Sequence, residues 1–264
     1  FISNKDSLWD GRSLHDLYGD AHTPWEWHKQ IITKATDLGM ICFSSPFDNT
    51  AVDFLEQLDV PAYKIASFEN IDLRLIKKVA STGKPVILST GMASISELGE
   101  AVRTMREAGC DEFALLMCTS TYPALPTDSN LSTIPHMREL FNCEVGLSAN
   151  TMGFGTAVAA VALGATLIEK HFTLNRSMKG TDHAFSLEPQ GLSKLIRDVK
   201  RSSIALGDGT KRKYPSEEKP LFKMGKKLVI SKDLKKGHKI LEDDFVIQSP
   251  GDGVPPNELY NLIG

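Results

Sequence analysis

Short apolar runs rich in β-branched residues alternate along the chain with segments whose apolar positions recur at helical spacing. The runs are Met40–Ser44, Ala62–Ser67, Pro85–Thr90, Phe113–Thr119, Glu144–Ser148 and Thr166–Phe172. They are apolar throughout rather than alternating, which predicts parallel strands covered on both faces. Their starts lie about 22 to 31 residues apart, near the length of one βα unit. Thr23-Pro24-Trp25-Glu26 reads as an N-cap, a proline in the first turn and a capping-box glutamate, with Gly39 ending that helix. Ser94-Ile95-Ser96-Glu97 repeats the capping box, and Gly109 closes that helix. Strand–helix repetition without reversal means a parallel sheet, closed into a barrel or doubly wound. A closed barrel of eight strands needs two more than these runs supply, and the expectation is that they precede Phe1.

The pattern changes after residue 206. Gly207-Asp208-Gly209-Thr210-Lys211-Arg212-Lys213 and the stretch Pro215 to Pro220 read as a polar linker over 207–222. Beyond it, Lys227–Ser231 and Phe245–Gln248 read as short strands around the turn Asp233-Leu234-Lys235-Lys236-Gly237. The chain therefore divides into an α/β domain over 1–206, the linker, and a small β-rich module over 223–264. That module is too short for a generous core and is expected to dock on something larger.

Composition narrows the functional classes. The chain has 264 residues, 41% hydrophobic and 24% charged, with a formal net charge of −3. Its sequence pI is about 6.2, which argues against a nucleic-acid or anionic-membrane partner. The longest apolar stretch, Ala157 to Leu163, is far too short to span a bilayer. Cys42, Cys110, Cys118 and Cys143 show no metal-binding spacing and read as buried thiols of a reducing compartment.

In a parallel barrel, chemistry gathers at the C-terminal ends of the strands. Those positions hold Ser44 and Ser45; Lys64, Ser67 and Glu69; Ser89 and Thr90; Ser120 and Tyr122; Ser148 and Asn150; and His171, with Asp182 a little beyond. One lysine among several hydroxyls suits a ligand bearing phosphate and carboxylate. Each serine or threonine could equally cap the helix that follows it. Lys64 stands out, because a lysine pointing inward from an apolar strand needs a partner. His171 could be a core residue, an acid–base group or a metal ligand. Asp182-His183, read from local pattern alone, is a turn.

Four stretches carry a resemblance: Lys64-Ile65-Ala66-Ser67-Phe68-Glu69-Asn70, Lys84 to Met92, Glu169-Lys170-His171-Phe172-Thr173, and Thr181-Asp182-His183-Ala184-Phe185-Ser186. In this order they resemble the sialic acid synthase (N-acetylneuraminate synthase-like) family. Leu8-Trp9-Asp10-Gly11-Arg12, Asp16-Leu17-Tyr18 and the segment Ala21 to Trp27 are most similar to the family's pseudaminic acid synthase branch.

The resemblance implies a (β/α)8 TIM barrel, its first two βα units lacking here, followed by an incomplete antifreeze-like (SAF) domain. It implies a cytoplasmic enzyme that condenses phosphoenolpyruvate with a diacetamido-trideoxy sugar, acting as a homodimer whose small domain caps the partner's barrel. By the same resemblance Lys64, Ser67, Ser89 and Ser148 would hold the phosphoenolpyruvate phosphate and carboxylate, with Ser45 nearby. Ser120 stands where many members have Asn. Tyr122 and Asp182 would face the sugar, and Glu69 the reacting carbons. His171 would be one of two histidines holding a divalent metal, manganese or magnesium, that activates the sugar aldehyde.

Three departures from the family accompany this. Ser148-Ala149-Asn150-Thr151 stands where the family has Ser-Asp-His-Thr, so Asn150 replaces the second metal histidine and Ala149 its acidic neighbour. The absent units would carry a general-base glutamate and another ligand-binding lysine. In the small module Ser249 stands where the family often has an arginine, and the chain stops short of the family's usual end. These departures leave a second expectation: a non-catalytic member or fragment that binds a sugar or a partner chain.

Overall fold

The computed structural model describes residues 1–3 and 10–264; Leu8 and Trp9 of the quoted motif lie outside the described residues. The chain forms two compact units, Phe1–Gly207 and Asp208–Gly264.

The first unit runs α1 (Leu14–Ala21), α2 (Trp25–Asp37), α3 (Asn49–Gln57), β1 (Tyr63–Ile65), α4 (Leu73–Ala80), β2 (Val86–Ser89) and α5 (Ile95–Glu107). It continues through β3 (Phe113–Cys118), α6 (Thr133–Phe141), β4 (Glu144–Ser148), α7 (Gly155–Ala162), β5 (Ile168–Glu169) and α8 (Pro189–Leu206). The five strands pair in chain order, and every pairing is parallel. Alternate residues explain why the runs look apolar throughout. Tyr63, Ile65, Val86, Leu88, Leu115, Met117, Val145 and Leu147 turn outward into one core with α3, α4, α5 and α6. Each such side chain, once fully buried, contributes roughly 1.5–3 kcal/mol. Lys64, Ser89, Ser148 and Glu169, one residue out of phase, occupy the other face.

The sheet is curled. β1 and β5 are its two edges, and across a flat sheet four strand spacings of about 4.8 Å would hold them about 19 Å apart. Yet the Lys64 ammonium and the Glu169 carboxylate lie 2.9 Å from each other.

Several expectations change. Met40–Ser44 is not a strand: only Ser44 bridges to Tyr63, through one Lys64 N–H to Ser44 carbonyl bond of 3.3 Å. A single ladder bond does not hold a strand, and Met40 and Ile41 are exposed. Thr166–Phe172 shortens to β5, because the chain turns off after Glu169 and Phe172 bridges instead to Leu187. Thr23 does not cap α2. Pro24 occupies that place with no side-chain cap, and its carbonyl takes the Trp27 N–H at 3.0 Å. The Ser94–Glu97 capping box forms as expected, and Gly39 and Gly109 follow their helices at φ +73° and +87°. All four cysteines are free thiols, but only Cys110 is fully buried. No helix among the described residues is long and apolar enough to cross a membrane.

In the second unit β6 (Lys227–Ile230) pairs antiparallel with β7 (Phe245–Gln248), preceded by α9 (Glu218–Met224) and followed by α10 (Leu259–Leu262). The stretch read as a linker thus carries a helix, introduced by the Glu217 carboxylate accepting the Tyr214 N–H at 2.8 Å. Leu228 anchors the small core. Asp244, 1% exposed, accepts from Lys232 at 2.9 Å, from the His238 ring at 2.6 Å and from the Leu241 N–H at 2.9 Å.

Candidate active site

On the inner face of the sheet Lys64 meets Glu169, and the Ser148 hydroxyl donates to the same carboxylate at 3.0 Å. Register places the pair: Cys118 stands beside Ser148, and Ser148 beside Glu169, at successive strand ends. A lysine facing inward needed an anion, and Glu169 is that anion. Sequence reasoning gave Glu169 no role. The available signal was spacing, since in Thr166–Phe172 read as one strand it would share a face with His171.

The loops after β1 and β2 form the adjoining wall. The Ser67 hydroxyl accepts the Gly91 N–H at 3.2 Å. A side chain at Gly91 would run into the Ser120 and Ser67 hydroxyls, so glycine is what lets both approach that backbone. Asn70, also given no role from sequence, is 2% exposed and donates to the carbonyls of Ser89 and Gly91 at 3.2 and 3.0 Å. Thr90, a candidate at this strand end, spends its hydroxyl on the Leu116 carbonyl at 3.0 Å. Ser45 is half-buried just past the Ser44 bridge and makes no hydrogen bond with the described residues.

Two buried polar atoms here lack hydrogen-bond partners among the described residues: the Ser89 hydroxyl and one carboxylate oxygen of Glu69. Leaving such a group unsatisfied costs about 1–3 kcal/mol, which suits a site that completes its bonds with a ligand. Burial also pushes the Glu69 carboxyl above the usual range.

A second group surrounds His171. The Tyr122 ring meets the imidazole edge-on at 5.7 Å between centroids, and Phe185 packs against both at 5.6 and 5.0 Å. Asp182 approaches His171 Nδ1 at 3.4 Å, so the supposed turn Asp182-His183 delivers a carboxylate to the site. Burial, reinforced by nearby acidic groups, pushes the Tyr122 phenol up to about 12. Asn150, 4% exposed, donates to the Thr119 carbonyl at 3.0 Å and to Cys118 Sγ at 3.6 Å. Behind it, burial lowers the Lys170 ammonium to about 8.

The side chains available to a divalent metal at this site are few. Among the described residues no group of three or more histidine, cysteine or acidic side chains could hold one. His171 is a single imidazole facing Asp182, and Asn150, whose NH2 donates to the Thr119 carbonyl, offers only its amide oxygen. Neutral amide oxygen is also a weaker ligand than imidazole.

A profile of the NeuB family matches residues 2–211. The pseudaminic acid synthase of Campylobacter jejuni is 42% identical over 262 residues, covering 98% of this chain and 76% of its own length. The pseudaminic acid synthase of Helicobacter pylori is 39% identical over 259 residues, with the same two coverages. Among solved structures, the N-acetylneuraminic acid (sialic acid) synthetase of Leptospira borgpetersenii, in complex with citrate, superposes with a TM-score of 0.73. It is 32% identical and covers 78% of this chain and 72% of its own.

Proposed function

The chain belongs to the NeuB family, and from that premise we propose that it is a synthase joining phosphoenolpyruvate to an N-acetylated amino sugar, giving a nine-carbon acidic sugar of the pseudaminic acid type and phosphate. The observation that carries this is the inner-face set at the strand ends: one lysine, Lys64, the Ser148 hydroxyl on the carboxylate that holds it, and the buried Ser89 hydroxyl, without a partner among the described residues. Such a set suits a small ligand with phosphate and carboxylate groups. The family's pseudaminic acid synthases favour this over a non-catalytic sugar-binding role.

In the reaction, C3 of phosphoenolpyruvate forms a bond to the sugar's aldehyde carbon, water adds at C2, and phosphate leaves with its bridging oxygen. Lys64, Ser67, Ser89, Ser120 and Ser148 anchor the anionic ligand, with Ser45 at the edge. The aldehyde oxygen gains a proton as the carbon–carbon bond forms, and the attacking water loses one. Glu69, whose burial favours the protonated form, can carry a proton between them. Tyr122, His171 and Asp182 face the sugar. Manganese or magnesium, implied by the family resemblance, would have His171 and Asn150 as its protein ligands here and would supply a Lewis acid to the aldehyde oxygen.

The five parallel strands are part of an eight-stranded barrel, and residues 223–264 an antifreeze-like (SAF) domain. In this reading the molecule is a cytoplasmic homodimer in which that domain caps the partner's barrel. The test is incubation with phosphoenolpyruvate and either a 2,4-diacetamido-trideoxy hexose or N-acetylmannosamine, followed by phosphate release and mass spectrometry. A nine-carbon keto acid from the first sugar supports the reading. Phosphate release from neither sugar overturns it.

A further inference from the structure

The Lys170 ammonium is half-buried and bonds two backbone carbonyls, those of Ala149 at 2.7 Å and of Thr151. No carboxylate pairs with it among the described residues. An ammonium taken from water without a counter-ion is costly, and an apolar side chain of similar length would be expected to pack there at less expense. What the ammonium supplies is several donors on one flexible stem, able to reach two diverging acceptors at once.

The residue between those two carbonyls is Asn150, and the residue after Lys170 is His171. The rest of the segment is already tied. The Ala149 N–H donates to the Glu169 carbonyl and the Ala124 N–H to the Asn150 carbonyl, both at 3.0 Å. The carbonyls on either side of position 150 are the acceptors that Lys170 takes. Asn70 repeats the arrangement on the opposite wall: it follows Glu69 and grips the carbonyls of Ser89 and Gly91, on either side of Thr90. In both places a donor next in sequence to a site residue fastens the neighbouring strand end.

We propose that Lys170 is a positioning residue that clamps the backbone on both sides of Asn150 and so fixes position 150 relative to His171. The proposal rests on the synthase reading only for its kinetic consequence. Displacing groups near a reacting centre by about 1 Å costs about 100-fold in rate. Lys170→Met should lower kcat about 100-fold while the KM for phosphoenolpyruvate, held at Lys64 and Ser89, stays within twofold. Lys170→Arg, which keeps donors, should recover most of the rate.

A readout independent of turnover separates the two ideas. In protein labelled with 15N-asparagine, the Asn150 side-chain amide, assigned by its loss in Asn150→Asp, should move toward the solvent-averaged position in Lys170→Met. If that variant does not fold, Lys170→Gln takes its place. A shifted amide in a chain that never turns over supports the clamp and counts against the synthase reading. An unmoved amide, or lowered thermal stability with unchanged kcat and KM, overturns the clamp.

Discussion

Lys64 on the first strand of the sheet and Glu169 on the last form an ion pair at 2.9 Å, although they are 105 residues apart in sequence. The contact links two levels of the structure. It requires the sheet to curl until its edges face each other, and it sets a cation where an anionic ligand would bind. An incoming phosphate or carboxylate would therefore meet a lysine already oriented by Glu169, whose carboxylate the Ser148 hydroxyl also holds.

Lys64→Ala should weaken phosphoenolpyruvate binding by about 2–4 kcal/mol, as when one member of a desolvated charge pair is deleted. That corresponds to roughly 30- to 700-fold in Kd. Calorimetry on the folded variant reads this directly. Unchanged affinity would remove Lys64 from the site.

Asn150→His together with Ala149→Asp should tighten manganese binding at least about 10-fold, the usual effect of a ligand-supporting contact. The single imidazole of His171 leaves most coordination to water, so the added imidazole acts on a weak starting point. A titration followed by manganese paramagnetic resonance checks it. No change would mean that His171 and position 150 do not share an ion.

Removing Lys223–Gly264 should abolish condensation while leaving the unit Phe1–Gly207, with its own core, folded. Circular dichroism reports the folding and phosphate release the activity. A truncated chain with full turnover would refute the capping role.

Acid should destabilise the second unit through Asp244. The Leu241 N–H, then Lys232 and His238, hold its carboxyl well below the usual range. A carboxylate with a depressed folded pKa stabilises fully above its unfolded value, about 3.9, and loses that contribution as pH falls through the folded one. Thermal melts of the chain and of Asp244→Asn should therefore differ most near pH 6 and converge as pH falls below about 4. A constant difference between them would exclude Asp244 as the titrating group.

Much of the fold was legible because burial on two faces leaves a local mark. Four of the apolar runs overlap ladder strands closely, Glu144–Ser148 residue for residue, and the Ser94 capping box is a contact three residues long. Lys64 was legible as a charge where the apolar pattern had no place for one. Met40–Ser44 was not, because an apolar run marks burial and extension but only a full ladder makes a strand.

Local pattern was enough to show which residues face the core and which side chains stand at the strand ends. Tertiary structure decided how those side chains are spent. Thr90 bonds backbone, the Ser89 hydroxyl has no partner among the described residues, Asn70 and Lys170 grip carbonyls, and Glu169 answers Lys64. The physical reason is range. Periodicity and capping act within a few residues, whereas these pairings depend on the register between strands and on a curl that brings the two sheet edges together.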